Sequence, residues 1–153
     1  MMKKVKYFLL VVLCLCLMGC NNEFAKTEYN DSEKIAASGD RYAKEMSVFN
    51  HVNGEYSLTV SKFNGRQTLW TKSFKEEQEV SIDLSFVLSK GQAKVVHIDG
   101  DDTVTTVMEC TPDTCTEETV TVSVTMKKGK NRIKIVGYDC EDLELKMLFG
   151  VED

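Results

Sequence analysis

Histidine occurs twice, tryptophan once and proline once in 153 residues. The two histidines, His51 and His97, leave little for acid–base or metal chemistry. Neither stands in a nucleophile motif such as G-x-S-x-G or beside a metal-ligating partner. Asp and Glu are plentiful, but nothing singles out two of them as an acid–base pair, and solvated surface charge is the default. One proline and nine glycines exclude a low-complexity chain. No run reaches the ~20 apolar residues that cross a bilayer as a helix.

The densest apolar block is at the N-terminus. Lys3, Lys4 and Lys6 form a positive patch, and residues 7–18 follow without a charge. A basic start, a short apolar stretch and a small residue at its end describe a secretory signal peptide. Its last residues, Leu17-Met18-Gly19-Cys20, resemble the lipobox of bacterial lipoproteins. That resemblance implies a diacylglyceryl group on Cys20 and removal of residues 1–19. Two acyl chains, at about 0.8 kcal/mol per buried methylene, hold a protein to a bilayer without a spanning helix. The expected location is the outer face of the cell membrane, lipid-anchored.

Cleavage changes the charge. It removes three of the 19 basic residues and none of the 24 acidic ones, leaving 16 and 24, a formal charge of −8. This excludes nucleic acid as a partner, because that needs a basic footprint. It also argues against a second, electrostatic grip on anionic lipid.

Residues 21–30 are polar and aperiodic and read as a tether. Asn30-Asp31-Ser32-Glu33 has the pattern of a helix start. Ile35, Gly39, Tyr42, Met46 and Phe49 follow at spacings of four and three, which predicts a short helix over about 32–47. From Gly54 the period becomes two: Val80, Ile82, Leu84 and Phe86 alternate with polar residues, as do Val120, Val122, Val124 and Met126. Such alternation marks strands with one face buried. Turn signals at Asn64-Gly65, Lys90-Gly91, Asp99-Gly100, Lys128-Gly129 and Tyr138-Asp139 divide the segment into about eight strands. They fall near 55–63, 67–74, 79–88, 92–99, 103–110, 115–127, 131–138 and 142–149. The expected fold is all-β, an antiparallel β-sandwich. The expected organisation is a signal peptide over 1–19, a lipidated tether and short helix over 20–53, and the sandwich over 54–153.

Gly129-Lys130-Asn131-Arg132-Ile133-Lys134-Ile135-Val136-Gly137 resembles the late-strand pattern G-x-N-x-I-x-I-x-G of jelly-roll domains of the galactose-binding type, found in many carbohydrate-binding modules. It is similar also to small lipoproteins of Gram-positive bacteria, in which a strand and hairpin such as 95–101 precede this segment. The resemblance covers 54–149 in layout and about 20 residues in motif. It implies a jelly-roll-like sandwich and carries no ligand residue.

Of six cysteines, Cys14 and Cys16 leave with the signal and Cys20 takes lipid, so Cys110, Cys115 and Cys140 remain. Thr111-Pro112-Asp113-Thr114 suits a hairpin loop that brings Cys110 and Cys115 face to face. A disulfide between them is expected, with free thiols the alternative and Cys140 left over. Their spacing matches no common zinc pattern. Asp99, Asp101 and Asp102 lack the ligand ladder of a calcium loop and read as turn formers. His97, between Val96 and Ile98, is expected to point out of its strand. No cofactor is called for. For sugar binding an aromatic platform is required; Trp70, Tyr56, Phe63 and Tyr138 are candidates, with Trp70 and Tyr138 singled out as the candidate ligand contacts, although a lone strand Trp is more often core.

The function these features favour is a non-enzymatic surface module for a glycan or an envelope protein. The alternatives are a structural envelope component or a hydrolase of cell-wall material. The anchor is testable first. Cys20→Ala is expected to abolish incorporation of labelled fatty acid and to leave the precursor uncleaved. Membrane-bound protein beginning at Met1, with no lipid mass on Cys20, would refute it.

Overall fold

Two strands of unusual length organise the chain. In a computed structural model that describes residues 23–150, β2 (Glu55–Phe74) and β7 (Gly129–Phe149) pair antiparallel from Glu55–Leu148 to Phe74–Gly129. The signal segment, the lipobox and Cys20 lie outside the described residues. The other elements are α1 (Glu23–Glu28), α2 (Ser32–Ala36), β1 (Arg41–Val52), β3 (Gln78–Val87), β4 (Lys90–Ile98), β5 (Val104–Cys110) and β6 (Thr116–Met126).

The long pair carries different neighbours along its two halves. The C-terminal half of β7 pairs with β3, and β3 with β6; β1 pairs with the first half of β2. The N-terminal half of β7 pairs with β4, and β4 with β5. Every pairing is antiparallel. The two halves face each other across one core that contains Leu58, Phe63, Trp70, Ile82, Phe86, Val95, Ile133 and Leu145. The fold is therefore an antiparallel β-sandwich whose sheets are joined through β2 and β7.

The alternation read from the sequence is realised in β3, where Val80, Ile82, Leu84 and Phe86 are buried and the residues between them are not. The strand count differs. Asn64-Gly65 and Tyr138-Asp139 are not chain reversals but irregularities inside continuous strands, so four expected strands become two. Gly65 faces Gly137 across the pair, and the register shifts between Phe63 and Gly65. Gly65 has φ +113°, and a Cβ there would run into the Arg41 carbonyl. Asn64 Oδ1 accepts the Asp139 N–H at 2.8 Å, so the turn-forming residues heal a bulge.

The expected helix over 32–47 is corrected to one turn. Asp31 caps it, its carboxylate accepting the Lys34 N–H at 3.0 Å. The helix stops at Ala36, and the chain enters β1 at Arg41. The supposed stripe is not a buried face: Met46 is 84% exposed, and Tyr42 and Phe49 are exposed too. The free backbone edge of β2 pairs with β1 along its length and outweighs a five-residue periodicity interrupted by Gly39. The sheet thus begins at Arg41, upstream of residue 54.

The tether is also corrected. Residues 23–40 dock on the outer face of the β7–β4 half. Tyr29 and Ile35 pack on Val96, Ile98 and Val136. Four cations, Arg66, Lys94, Arg132 and Lys134, lie buried on this face. Glu28 ion-pairs with Arg66 and, at 2.8 Å, with Arg41. Lys94 lies 4.3 Å over the Tyr29 ring and donates to Asn30 Oδ1 at 3.2 Å. Lys134 Nζ donates to the Ala37 carbonyl at 2.6 Å and stands 3.5 Å from Asp40. Burial lowers the Lys134 pKa, and Asp40 opposes that shift. A hydropathy reading sees only a polar segment here, because polar groups do the docking.

Arg66 Nε has no hydrogen-bond partner among the described residues, so Glu28 is the group that holds this guanidinium in a buried place. Removing one partner of a buried pair costs about 3 kcal/mol. Glu28→Gln is expected to lower the urea midpoint accordingly and to speed hydrogen exchange over residues 23–40. An unchanged midpoint would refute the pairing as the clamp.

Candidate functional site

The β1–β2 connection is the two-residue turn Asn53-Gly54, both residues with positive φ (51° and 81°). Asn-Gly is the sequence best suited to such a turn. It sets His51 directly opposite Tyr56 in the register, and their rings stack at 4.0 Å with an interplanar angle of 12°. Tyr56 meets Phe149 edge-on at 5.7 Å. Phe149 stacks on Trp70 at 4.5 Å, and Trp70 tilts against Phe74 at 6.2 Å. Four strand segments thus contribute one continuous aromatic run. Beside it opens a cleft of about 380 Å³, lined by His51, Tyr56, Trp70, Thr71, Lys72 and Phe149.

This cleft contains one of the two candidate ligand contacts, in a different role. Trp70 is 8% exposed, with a face covered by Phe149, so it offers an edge and supports the rings above it. Tyr138 lies elsewhere. Its ring receives Tyr29 edge-on at 5.1 Å, and its hydroxyl donates to Gln92. The structure therefore does not bring Trp70 and Tyr138 together. Exposed His51 and half-buried Tyr56 take the positions expected of a platform. The signal for them was Asn53-Gly54, which reads as a hairpin turn once a strand is admitted on its N-terminal side.

His97 is corrected from an outward to an inward residue. It is 4% exposed, and its Nε2 lies 2.8 Å from Asn131 Oδ1. Desolvation lowers its pKa from the ordinary 6.5, partly opposed by the Asn131 bond and Asp99. Asp99 accepts the N–H groups of Asp101 and Thr103, each at 2.9 Å, and pairs with Lys127 at 2.7 Å. Its oxygens are thereby used in the turn.

Cys110 and Cys115 form a disulfide across Cα atoms 4.8 Å apart. The loop between them is a tight turn in which the Thr111 carbonyl accepts from Thr114 and Cys115, both at 2.9 Å. A loop this short stabilises by about 2 kcal/mol in the chain-entropy account. Cys140 is free and buried. Its thiol donates to the Gln92 carbonyl at 3.2 Å, and burial pushes its pKa up to about 12, which makes it a poor nucleophile. Among the described residues, no three of His, Cys, Asp and Glu converge on a metal position, and no helix is long and apolar enough to cross a membrane.

No family model matches the chain, and no curated relative matches it by sequence. Solved structures similar to it are family 29 carbohydrate-binding modules. One complexed with mannohexaose aligns over 72% of this chain and 78% of its own, at 13% identity and a TM-score of 0.42. One complexed with cellulohexaose aligns over the same shares, at 12% identity and a TM-score of 0.40. Scores of this size leave the fold to be established by the strand pairing itself.

Burial of neutral His97 has a consequence for stability. Its folded pKa lies below its unfolded value, so the unfolded chain takes up the proton first as pH falls. The contribution is present above about pH 7 and is lost progressively below the ordinary value near 6.5. Unfolding free energy is expected to fall in that window, before carboxylates titrate, and His97→Gln is expected to flatten it. Equal pH dependence in both proteins would rule this out.

Proposed function

We propose that this protein is an exported lipoprotein held on the outer face of a cell membrane by lipid on Cys20, and that its sandwich is a non-catalytic module binding a glycan in the aromatic cleft. The observation that carries the binding reading is the ring sequence His51–Tyr56–Phe149–Trp70 beside the cleft. A pyranose has an apolar C–H face and a rim of hydroxyls. Rings that bury the first, with Thr71 and Lys72 to bond the second, are the complement of such a ligand. The protein's two histidines support the non-catalytic reading: His51 is stacked on Tyr56, and His97 is bonded to Asn131, so neither activates a nucleophile.

The test is a glycan array probed with the full-length chain in detergent, with cellohexaose and mannohexaose among its members. Saturable binding is expected, weakened about tenfold by Tyr56→Ala, the cost of one lost ring contact. Trp70→Phe is expected to weaken it less, because only an edge is offered. Binding that survives Tyr56→Ala in a folded protein, or no glycan binding at all, overturns the assignment. Turnover of a cell-wall substrate would overturn the non-catalytic half.

A further inference from the structure

β5 and β6 are consecutive and tied together by Cys110–Cys115, yet they belong to opposite sheets. β5 pairs with β4 alone and β6 with β3 alone. Beyond the disulfide each therefore presents a backbone edge with no strand beside it among the described residues. Between these edges opens a groove of about 620 Å³. Its walls are residues 105–107 of β5 and 122–125 of β6. Successive side chains of a strand point to opposite faces, so a wall of consecutive residues is the strand edge itself, with its N–H and C=O groups. The hydroxyls of Ser123 and Thr125 confirm this. Both donate to the Glu79 carboxylate of β3, Ser123 at 2.7 Å, so their protons are committed within the sheet. Val107 is the extra residue of a bulge, since Val95 pairs with Met108 and Val96 with Thr106.

One ring nitrogen of a buried side chain faces this space. Asn131 Nδ2 donates to the carbonyls of Lys127 and Gly129, at 2.7 and 3.0 Å, which fixes the orientation of the amide. Asn131 Oδ1 is then the acceptor toward His97, and Nε2 carries the imidazole proton. His97 Nδ1 is left as a lone-pair acceptor with no partner among the described residues, open to the groove on a side chain that lines it. Such an acceptor, on an otherwise buried ring, can take a donor from a ligand in the groove.

We propose that this groove is a strand-addition site for an extended peptide with a neutral centre, a hydrogen-bond donor at His97 Nδ1, and cationic flanks. It is a site separate from the aromatic cleft and independent of the glycan reading. A strand residue occupies about 3.3 Å along the chain, 4.8 Å between strands and 10 Å between sheets, about 160 Å³, so the groove takes roughly four residues. Asp99 and Lys127 neutralise each other at one end, which leaves no net charge for the centre of the ligand. Outside it, exposed Asp113, Glu117 and Glu118 stand by the disulfide; at the opposite end Asp101 shares Lys127 with Asp99, at 3.4 Å, which leaves one carboxylate of that trio in excess, so Lys or Arg on either flank completes the fit. Main-chain bonds to the two edges supply affinity and the His97 position supplies selectivity.

The probe is a library of acetylated heptapeptides with Lys fixed at both ends, screened on the full-length chain in detergent. Enrichment of sequences with Ser, Thr, Asn or Gln at one inner position is expected. Binding of the best member should slow amide exchange in residues 104–107 and 122–125 at least tenfold. N-methylation at inner positions of the peptide should abolish binding without any change to the protein. In His97→Phe, the inner preference should disappear while the preference for cationic flanks remains. No enriched member, protection elsewhere, or indifference to N-methylation overturns the proposal. Mannohexaose protecting the same amides in place of peptide overturns the ligand class.

Discussion

β2 and β7 stay hydrogen-bonded through both sheets, and each sheet is one half of that pair with further strands added. For the pair to serve two sheets it must pass from one to the other without separating. The strands do this where Gly65 and Gly137 are partners, so that the backbones approach with no Cβ between them. A Cβ on Gly137 would lie 2.7 Å from the Cys140 sulfur and 3.1 Å from Ala93. The cost of exposing backbone at this point is avoided by the Asn64–Asp139 bond. Both the aromatic cleft and the β5–β6 groove depend on the relation of the two halves, since each lies where strands from different parts of the pair meet.

The docked N-terminal segment follows a different logic. Burying Arg66, Lys94, Arg132 and Lys134 costs several kcal/mol per ion unless each is paired. Each finds a partner: Glu28, the Tyr29 ring with Asn30, Asp102, and the Ala37 carbonyl with Asp40. The apolar part of the contact, Tyr29 and Ile35 against Val96, Ile98 and Val136, is small. Such a contact is specific more than it is strong, because this segment places its acceptors over Arg66, Lys94 and Lys134.

What was legible in the sequence followed from period. β3 and much of β7 have one face in the core and one in water, and their alternation stated as much. β4 is buried on both faces, with Val95 in the main core and Val96 in the smaller one, so no alternation could say which way His97 turns. β1 is exposed on both faces and escaped for the opposite reason. Its place in the sheet rests on backbone bonds, which hydropathy does not report. The aromatic run was hidden for a related cause: His51, Tyr56, Trp70 and Phe149 are far apart in sequence and meet only after the register is set. A lone tryptophan drew attention, while the rings beside it offer the accessible surface.

If Cys20 carries the proposed lipid, the position of α1 fixes its reach. Two residues of chain, Asn21 and Asn22, separate Cys20 from Glu23, a span of at most about 11 Å. α1 touches the start of β1, where Arg41 pairs with Glu28 at 2.8 Å. β1 then runs its 12 residues, about 36 Å at strand spacing, before it turns at Asn53-Gly54 beside the aromatic cleft. A protein fastened as proposed would have almost no slack at its foot. Under the proposed anchoring the strand itself would be the spacer, a rigid mast in place of a flexible leash, with the aromatic cleft at its far end.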